Sequence, residues 1–146
     1  MCSGGRYDNL ASAGEGAVYP GVGLSVGVTR TLSRLFGRGL LGASRSTPTA
    51  VLVALPSEDD RPRSQRIAAA LRSRGIPTEV APEPVKYGKQ IRYAERRGIP
   101  YVWFPEGPSG ADEVRDIRTG TQDPADPAAW VPPEPDRSVA IVATEG

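Results

Sequence analysis

Along the chain, apolar positions change rhythm three times, and each change marks a different kind of element. From Val28 the apolar residues Leu32, Leu35, Phe36 and Leu40 recur at spacings of three and four, with Arg34 and Arg38 on the opposite side. That spacing predicts an amphipathic helix. Gly37 and Gly39 weaken its end, and Gly42 to Pro48 has the composition of a linker. Thr49-Ala-Val-Leu-Val-Ala-Leu55 is a continuous apolar run closed by Pro56, as expected of a strand buried on both faces. The helical rhythm returns over Ser64 to Arg74, with Ile67, Ala68, Ala70 and Leu71 on one side and Gly75 as the stop.

Ile76 to Ala81 is a second strand candidate, bounded by prolines, and Lys86 to Arg97 a second helix stopped by Gly98. Ile99-Pro-Tyr-Val-Trp-Phe104 is a third strand, and Val114 to Arg118 a weaker fourth. Strand, helix, strand, helix, strand predicts an α/β unit with a largely parallel sheet. Beyond Gly120 the chain is rich in proline and acid, with only Trp130 and Val139 to Val142 able to pack. This segment is expected to be a loosely attached tail with a short helical turn around Ala128–Trp130.

Composition narrows the chemistry. The 146 residues contain no His and one Cys, which excludes a Ser-His-Asp triad, His-ligated metal sites and an internal disulfide, and fits a reducing compartment. No apolar run reaches the roughly 18–20 residues that span a membrane, so the expected setting is soluble and cytoplasmic. Net charge is only +1, but it is unevenly spread. Residues 61–97 hold ten basic and three acidic side chains, and residues 106–146 hold three basic and nine acidic. A basic middle beside an acidic end suits a polyanion partner, and equally suits solvated helices with Arg-rich outer faces.

Three stretches combine groups that bind ligands. Ser3-Gly-Gly-Arg-Tyr-Asp-Asn-Leu10 offers flexible backbone beside a cation, a ring and an acceptor. Pro20-Gly-Val-Gly-Leu-Ser-Val-Gly-Val-Thr-Arg30 has small residues on one strand face, where a flat ring can lie, and delivers Arg30 to a helix start, where an anion is favoured. It is neither a P-loop nor a dinucleotide fingerprint. Lys86-Tyr-Gly-Lys-Gln-Ile-Arg-Tyr-Ala-Glu-Arg-Arg-Gly98 mixes cations, an amide and rings on one helix, a mixture that suits single-stranded RNA.

Taken in this order, the three stretches resemble the C-terminal third of the bacterial histidyl-tRNA synthetase family, of the actinobacterial type. The resemblance runs from residue 3 to about residue 120. It implies a remnant of a class II synthetase catalytic domain over 1–45, an anticodon-binding domain over 46–122, and a tail over 123–146. The anticodon-binding domain would be a mixed five-stranded sheet with about three helices. Arg6 and Tyr7 would border the histidine pocket. Gly21, Gly23 and Gly27 would floor the ATP site, and Arg30 would be the catalytic arginine lying against adenine and reaching the γ-phosphate. Lys86, Lys89, Gln90, Arg92 and Tyr93 would grip the anticodon of histidine tRNA. The whole enzyme would use histidine and ATP with Mg²⁺, and would be a homodimer. Thr29 departs from the glutamate usual before the motif arginine, and the first and second class II motifs, with the α-phosphate arginine, are absent from these 146 residues. The expectation is a chain that activates no histidine alone; the competing expectation is a tRNA-binding module, or a regulatory paralogue without catalysis.

Overall fold

A computed structural model describes residues 2–8, 19–107 and 109–144. The chain divides into two compact units, one of Met1–Gly42 with Val142–Gly146 and one of Ala43–Ile141.

In the first unit, β1 (Cys2–Tyr7) and β2 (Gly21–Val26) form an antiparallel ribbon, pairing Gly5 with Gly23 and Tyr7 with Gly21. Strict alternation in β2 puts Val22, Leu24 and Val26 on one face and Gly21, Gly23 and Ser25 on the other. The helix α1 (Val28–Gly37) follows after one residue. Its apolar stripe exists as the spacing predicts, but buries nothing completely: Leu32 and Phe36 stay about 40% exposed, at 42% and 41%. Short strands β3 (Leu41–Ala43) and β9 (Ile141–Ala143) pair with each other where the chain passes from one unit to the other.

The second unit is built on β4 (Val51–Val53), whose flanking residues Ala50 to Leu55 are completely buried. From β4 the chain runs through α2 (Arg61–Ser73) to β5 (Thr78–Val80), then through α3 (Tyr87–Arg97) to β6 (Tyr101–Phe104). β7 (Glu113–Asp116) and β8 (Gln122–Pro124) complete a sheet of order β5-β4-β6-β7-β8. The first three strands are parallel, and β7 and β8 are antiparallel to their neighbours. The sheet is therefore mixed and five-stranded, as the resemblance implies, rather than largely parallel, because the weak fourth run returns antiparallel to β6 and brings a fifth strand with it.

The connections dictate the layers. β4 to β5 and β5 to β6 move in opposite directions across the sheet, so two right-handed crossovers place α2 and α3 on opposite faces. Alternation then sorts the core. Val51, Val53, Tyr101, Trp103 and Val114 meet Ile67, Ala68 and Leu71 of α2, whereas Leu52, Ala54, Val102 and Phe104 meet Ala94 of α3. Gly75 (φ +76°) and Gly98 (φ +72°) end the two helices in the left-handed conformation, and a side chain at Gly98 would also strike Ser46 Oγ.

Two buried side chains close the carboxyl end of β4. Ser64 Oγ donates to the Ala54 carbonyl at 2.9 Å. Gln90 Oε1 accepts from the Leu55 N–H at 2.9 Å, and its Nε2 donates to the Leu55 carbonyl at 2.8 Å and to the Val85 carbonyl. These bonds replace ladder bonds that β4 no longer makes.

The segment after Gly120 is not the loosely attached tail that its composition suggests. Its first residues are β8. Trp130 then lies edge-on to Tyr101 (5.3 Å between centroids) and to Trp103 (5.7 Å). Arg74 donates to the carbonyls of Pro127, Ala129 and Trp130 at 3.1, 3.0 and 2.7 Å. Further on, before the short α4 (Glu134–Arg137) ends, Asp136 joins a polar knot. Arg118 donates to Asp136 at 2.8 and 2.9 Å, to Asp116 at 2.7 and 3.0 Å and to the Tyr101 hydroxyl at 2.9 Å, while that hydroxyl donates to Asp136 at 2.8 Å. A few strong contacts hold what low hydrophobicity alone would leave loose.

Two outcomes test this. Gln90→Leu strands the Leu55 backbone groups and should cost about 1–3 kcal/mol, measured by urea unfolding. Hydrogen bonds from Arg118 hold the carboxyls of Asp116 and Asp136 below the ordinary range, against the opposing effect of burial. Their contribution is complete above the unfolded carboxylate pKa of about 4 and disappears as pH falls through the lower folded values. Thermal stability should therefore drop below about pH 4, and Asp136→Asn should flatten that drop.

Candidate nucleic-acid interface

Helix α3 sorts its polar residues by period. Gln90 and Ala94 point inward and are buried, which removes Gln90 from the outward set expected of it: its amide is used within the fold. Lys89, Arg92, Tyr93 and Arg96 fall three, four and seven residues apart and share the outer side, with Lys86 at the helix N-cap. Among the described residues, no carboxylate lies within ion-pair distance of Lys86, Lys89, Arg92, Arg96 or Arg97. Arg92 Nε donates to the Gly88 carbonyl at 3.2 Å, its one described hydrogen bond.

Tyr93 is half-buried, with the Arg97 guanidinium 5.7 Å from its ring centroid. Burial, and then the nearby Glu79 carboxylate, push its phenol up, so it is a neutral donor and a ring for stacking. Beside it, Ala81, Pro82, Glu83, Val85, Lys89, Gln90 and Arg96 enclose a cavity of about 230 Å³. A shallower depression of about 450 Å³ runs over Lys89, Arg92, Glu95 and Arg96. Arg96, which borders both, is legible from the sequence only by its four-residue spacing from Arg92. Tyr87 extends the surface, edge-on to Phe104 at 5.0 Å.

The first unit brings together part of its expected set. Gly27 and Arg30 line a concavity of about 560 Å³ with Cys2, Ser3, Ser25, Val28 and Thr29. Gly21 does not border it. Gly23 lies under Tyr7, whose ring occupies the space a side chain would take: a Cβ there would come within 2.8 Å of Tyr7 Cε2. The flat ring on the bare strand face is thus supplied by the chain itself. Arg6 pairs with Asp8 at 2.7 Å on the surface. Asn9 and Leu10 lie outside the described residues. Among the described residues, no three His, Cys, Asp or Glu side chains are grouped to hold a metal ion.

Residues 50–105, which carry β4 to β6 and the cationic helix, match the family of the anticodon-binding domain. Histidine–tRNA ligases from Cutibacterium acnes and Micrococcus luteus are each 55% identical to this chain, over 99% and 93% of it. The chain is homologous to the histidine–tRNA ligases. It spans about a third of the length of these relatives, 32% and 30%. A crystal structure of the histidyl-tRNA synthetase from Nostoc sp. aligns over 87% of the chain and 31% of its own, at 32% identity and a TM-score of 0.55. The apo S. aureus enzyme, at 20% identity and a TM-score of 0.51, shares the fold. The similarity to the ligases continues through the acidic segment, consistent with the ordered packing of Trp130 and Asp136.

The Tyr7 placement is testable. Gly23→Ala should displace the ring, seen as a more readily quenched Tyr7 fluorescence when the other tyrosines and both tryptophans are replaced by phenylalanine, while unfolding of the second unit is the same with and without Gly23→Ala.

Proposed function

We propose that this chain is the anticodon-gripping part of a histidine–tRNA ligase together with one border of its ATP and histidine sites. The second unit is the tRNA-binding module. Lys86, Lys89, Arg92 and Arg96 neutralise phosphates of the anticodon loop, and Tyr93 stacks on an unpaired base held over the adjacent cavity. The observation that carries this reading is the row of cations on α3 with no described carboxylate partner, beside a recessed ring. Glu83 and Glu95 border the same depressions without pairing with these cations, whereas on a merely solvated surface ion pairs of opposite sign are usual.

In the complete enzyme, histidine reacts with ATP to give an adenylate and pyrophosphate, and the histidyl group then passes to tRNA. Catalysis of that kind is chiefly electrostatic. Arg30, backed by Gly27 in the first-unit concavity, suits one end of a nucleotide. Its planar guanidinium can stack on adenine and donate to a phosphate, a double role an ammonium does not fill. Mg²⁺ would be held by the nucleotide's own phosphates and would offset their charge, since the described lining of this concavity offers no carboxylate for it. Tyr7 and Arg6 belong beside the bound amino acid. The setting is the cytoplasm, where tRNA and ATP are present, and the complete enzyme is a homodimer. A second reading, a tRNA-binding module without chemistry, is favoured by the self-contained core of the second unit.

Binding of a histidine tRNA transcript should weaken steeply with salt, and Lys89→Glu with Arg92→Glu should cut affinity at least about tenfold and lower the salt slope by about one per lost phosphate contact. Affinity indifferent to salt and to the anticodon sequence would defeat both readings. The 146 residues alone should give no histidine-dependent pyrophosphate–ATP exchange, since the α-phosphate arginine is not among them.

A further inference from the structure

Glu83 shares the cavity beside Tyr93 with two cations and pairs with neither. It is exposed, lies in the connection from β5 to α3, and borders the space of about 230 Å³ that Lys89 and Arg96 also line. Among the described residues its carboxylate takes no hydrogen bond and no ion pair, and Lys89 and Arg96 reach no carboxylate either. An acceptor and two donors therefore stand open at one cavity.

The loop that carries Glu83 is stiff. Pro82 and Pro84 flank it, fixing φ on either side and restricting the residue between them. The Ala81 N–H donates to the Val53 carbonyl at 2.9 Å, and Arg61 donates to the Pro82 carbonyl at 3.2 Å. Beyond it, the Val85 N–H donates to the Glu83 carbonyl at 2.9 Å, and Gln90 Nε2 donates to the Val85 carbonyl. The backbone beneath this carboxylate is thus tied to β4, α2 and α3. The side chain itself holds nothing in the fold.

The cavity is smaller than the roughly 300–1,000 Å³ of sites that enclose drug-sized ligands, so it suits one base rather than a whole nucleotide. We infer that Glu83 reads a guanine of the bound RNA: its carboxylate accepts from N1–H and the N2 amino group together, while O6 and N7 meet the donors of Arg96 and Lys89. This rests on the reading of the second unit as an RNA binder, and adds the identity of the base that Tyr93 stacks on. Guanine is the base with two adjacent N–H donors on its Watson–Crick edge. Adenine and cytosine set an amino group beside a ring-nitrogen lone pair, which a carboxylate repels, and uracil sets one N–H between two carbonyls. The O6 and N7 acceptors of guanine are also the usual partners of Arg and Lys. A phosphate is refused at Glu83 by its charge.

The test measures binding of the full chain to the anticodon stem-loop of histidine tRNA, with each loop guanine replaced in turn by inosine, which lacks only the N2 amino group. The unaltered chain should lose about tenfold at one guanine, as expected for one hydrogen bond to a charged group. Glu83→Ala takes a negative charge off a surface that meets a polyanion, so without a base contact it would tighten binding to every RNA. Instead it should weaken binding to the natural loop by about tenfold to a hundredfold and no longer sense the inosine replacement. Glu83→Gln, which sets an amide donor against a base N–H, should weaken binding as well. Thermal unfolding of both variants should match that of the unaltered chain, since the side chain has no described partner to lose. Tighter or unchanged binding by Glu83→Ala would overturn the inference, and so would an unaltered chain indifferent to every inosine replacement. If Lys89→Glu with Arg92→Glu removes binding alongside either of those results, the RNA-binding reading stands and this one alone falls. If the unaltered chain binds no RNA, both fall.

Discussion

A single buried strand constrains the rest of the second unit. Ala50 to Leu55 lie wholly out of solvent, so β4 needs cover on both faces and neighbours on both sides. The sense of the crossovers answers the first need by sending α2 to one face and α3 to the other. Insertion of β4 between β5 and β6 answers the second. Once α3 is fixed in this way, its inward residues are settled, and every cation at the complementary positions must face outward.

Beyond β6 the two faces are covered in different ways. On the α2 side, the acidic segment extends the layer with Trp130 and is fastened by Arg74 and by the Arg118–Asp136 knot. On the α3 side, Ile117 packs on the core and Glu113 is closed over by Ser109 and Gln122. The near-zero net charge conceals an uneven spread along the chain, with ten cations against three acids over residues 61–97 and nine acids against three cations over residues 106–146.

Element type and order could be read directly, because both α2 and α3 have clean apolar periods and glycine stops, and β4 has an uninterrupted apolar run. Three features were not legible. Strand β8, Gln122-Asp-Pro124, has no apolar alternation, since it is an exposed edge held by backbone pairing to β7. Trp130 anchors a segment whose average composition resembles disorder, because one large ring and three carbonyl acceptors act where periodicity does not. Gln90 looked like an RNA ligand because residue type alone does not distinguish an amide facing solvent from one closing a strand end. Position within the helix does: Gln90 and Ala94 are one turn apart on the core side, and Lys89, Tyr93 and Arg96 follow the other. The first unit was legible as strand and helix, but which glycines border a cavity depended on Tyr7 folding over Gly23.

Gly98 ties these threads together. Its left-handed backbone and the absence of room beside Ser46 leave glycine as the residue that fits, and Ser46 Oγ donates to the Arg97 carbonyl at 2.8 Å at the same spot. The end of α3 is therefore clamped before any ligand arrives. Preorganisation of that kind means that association would be dominated by ion release rather than by ordering of protein, with only a small change in heat capacity on the protein side.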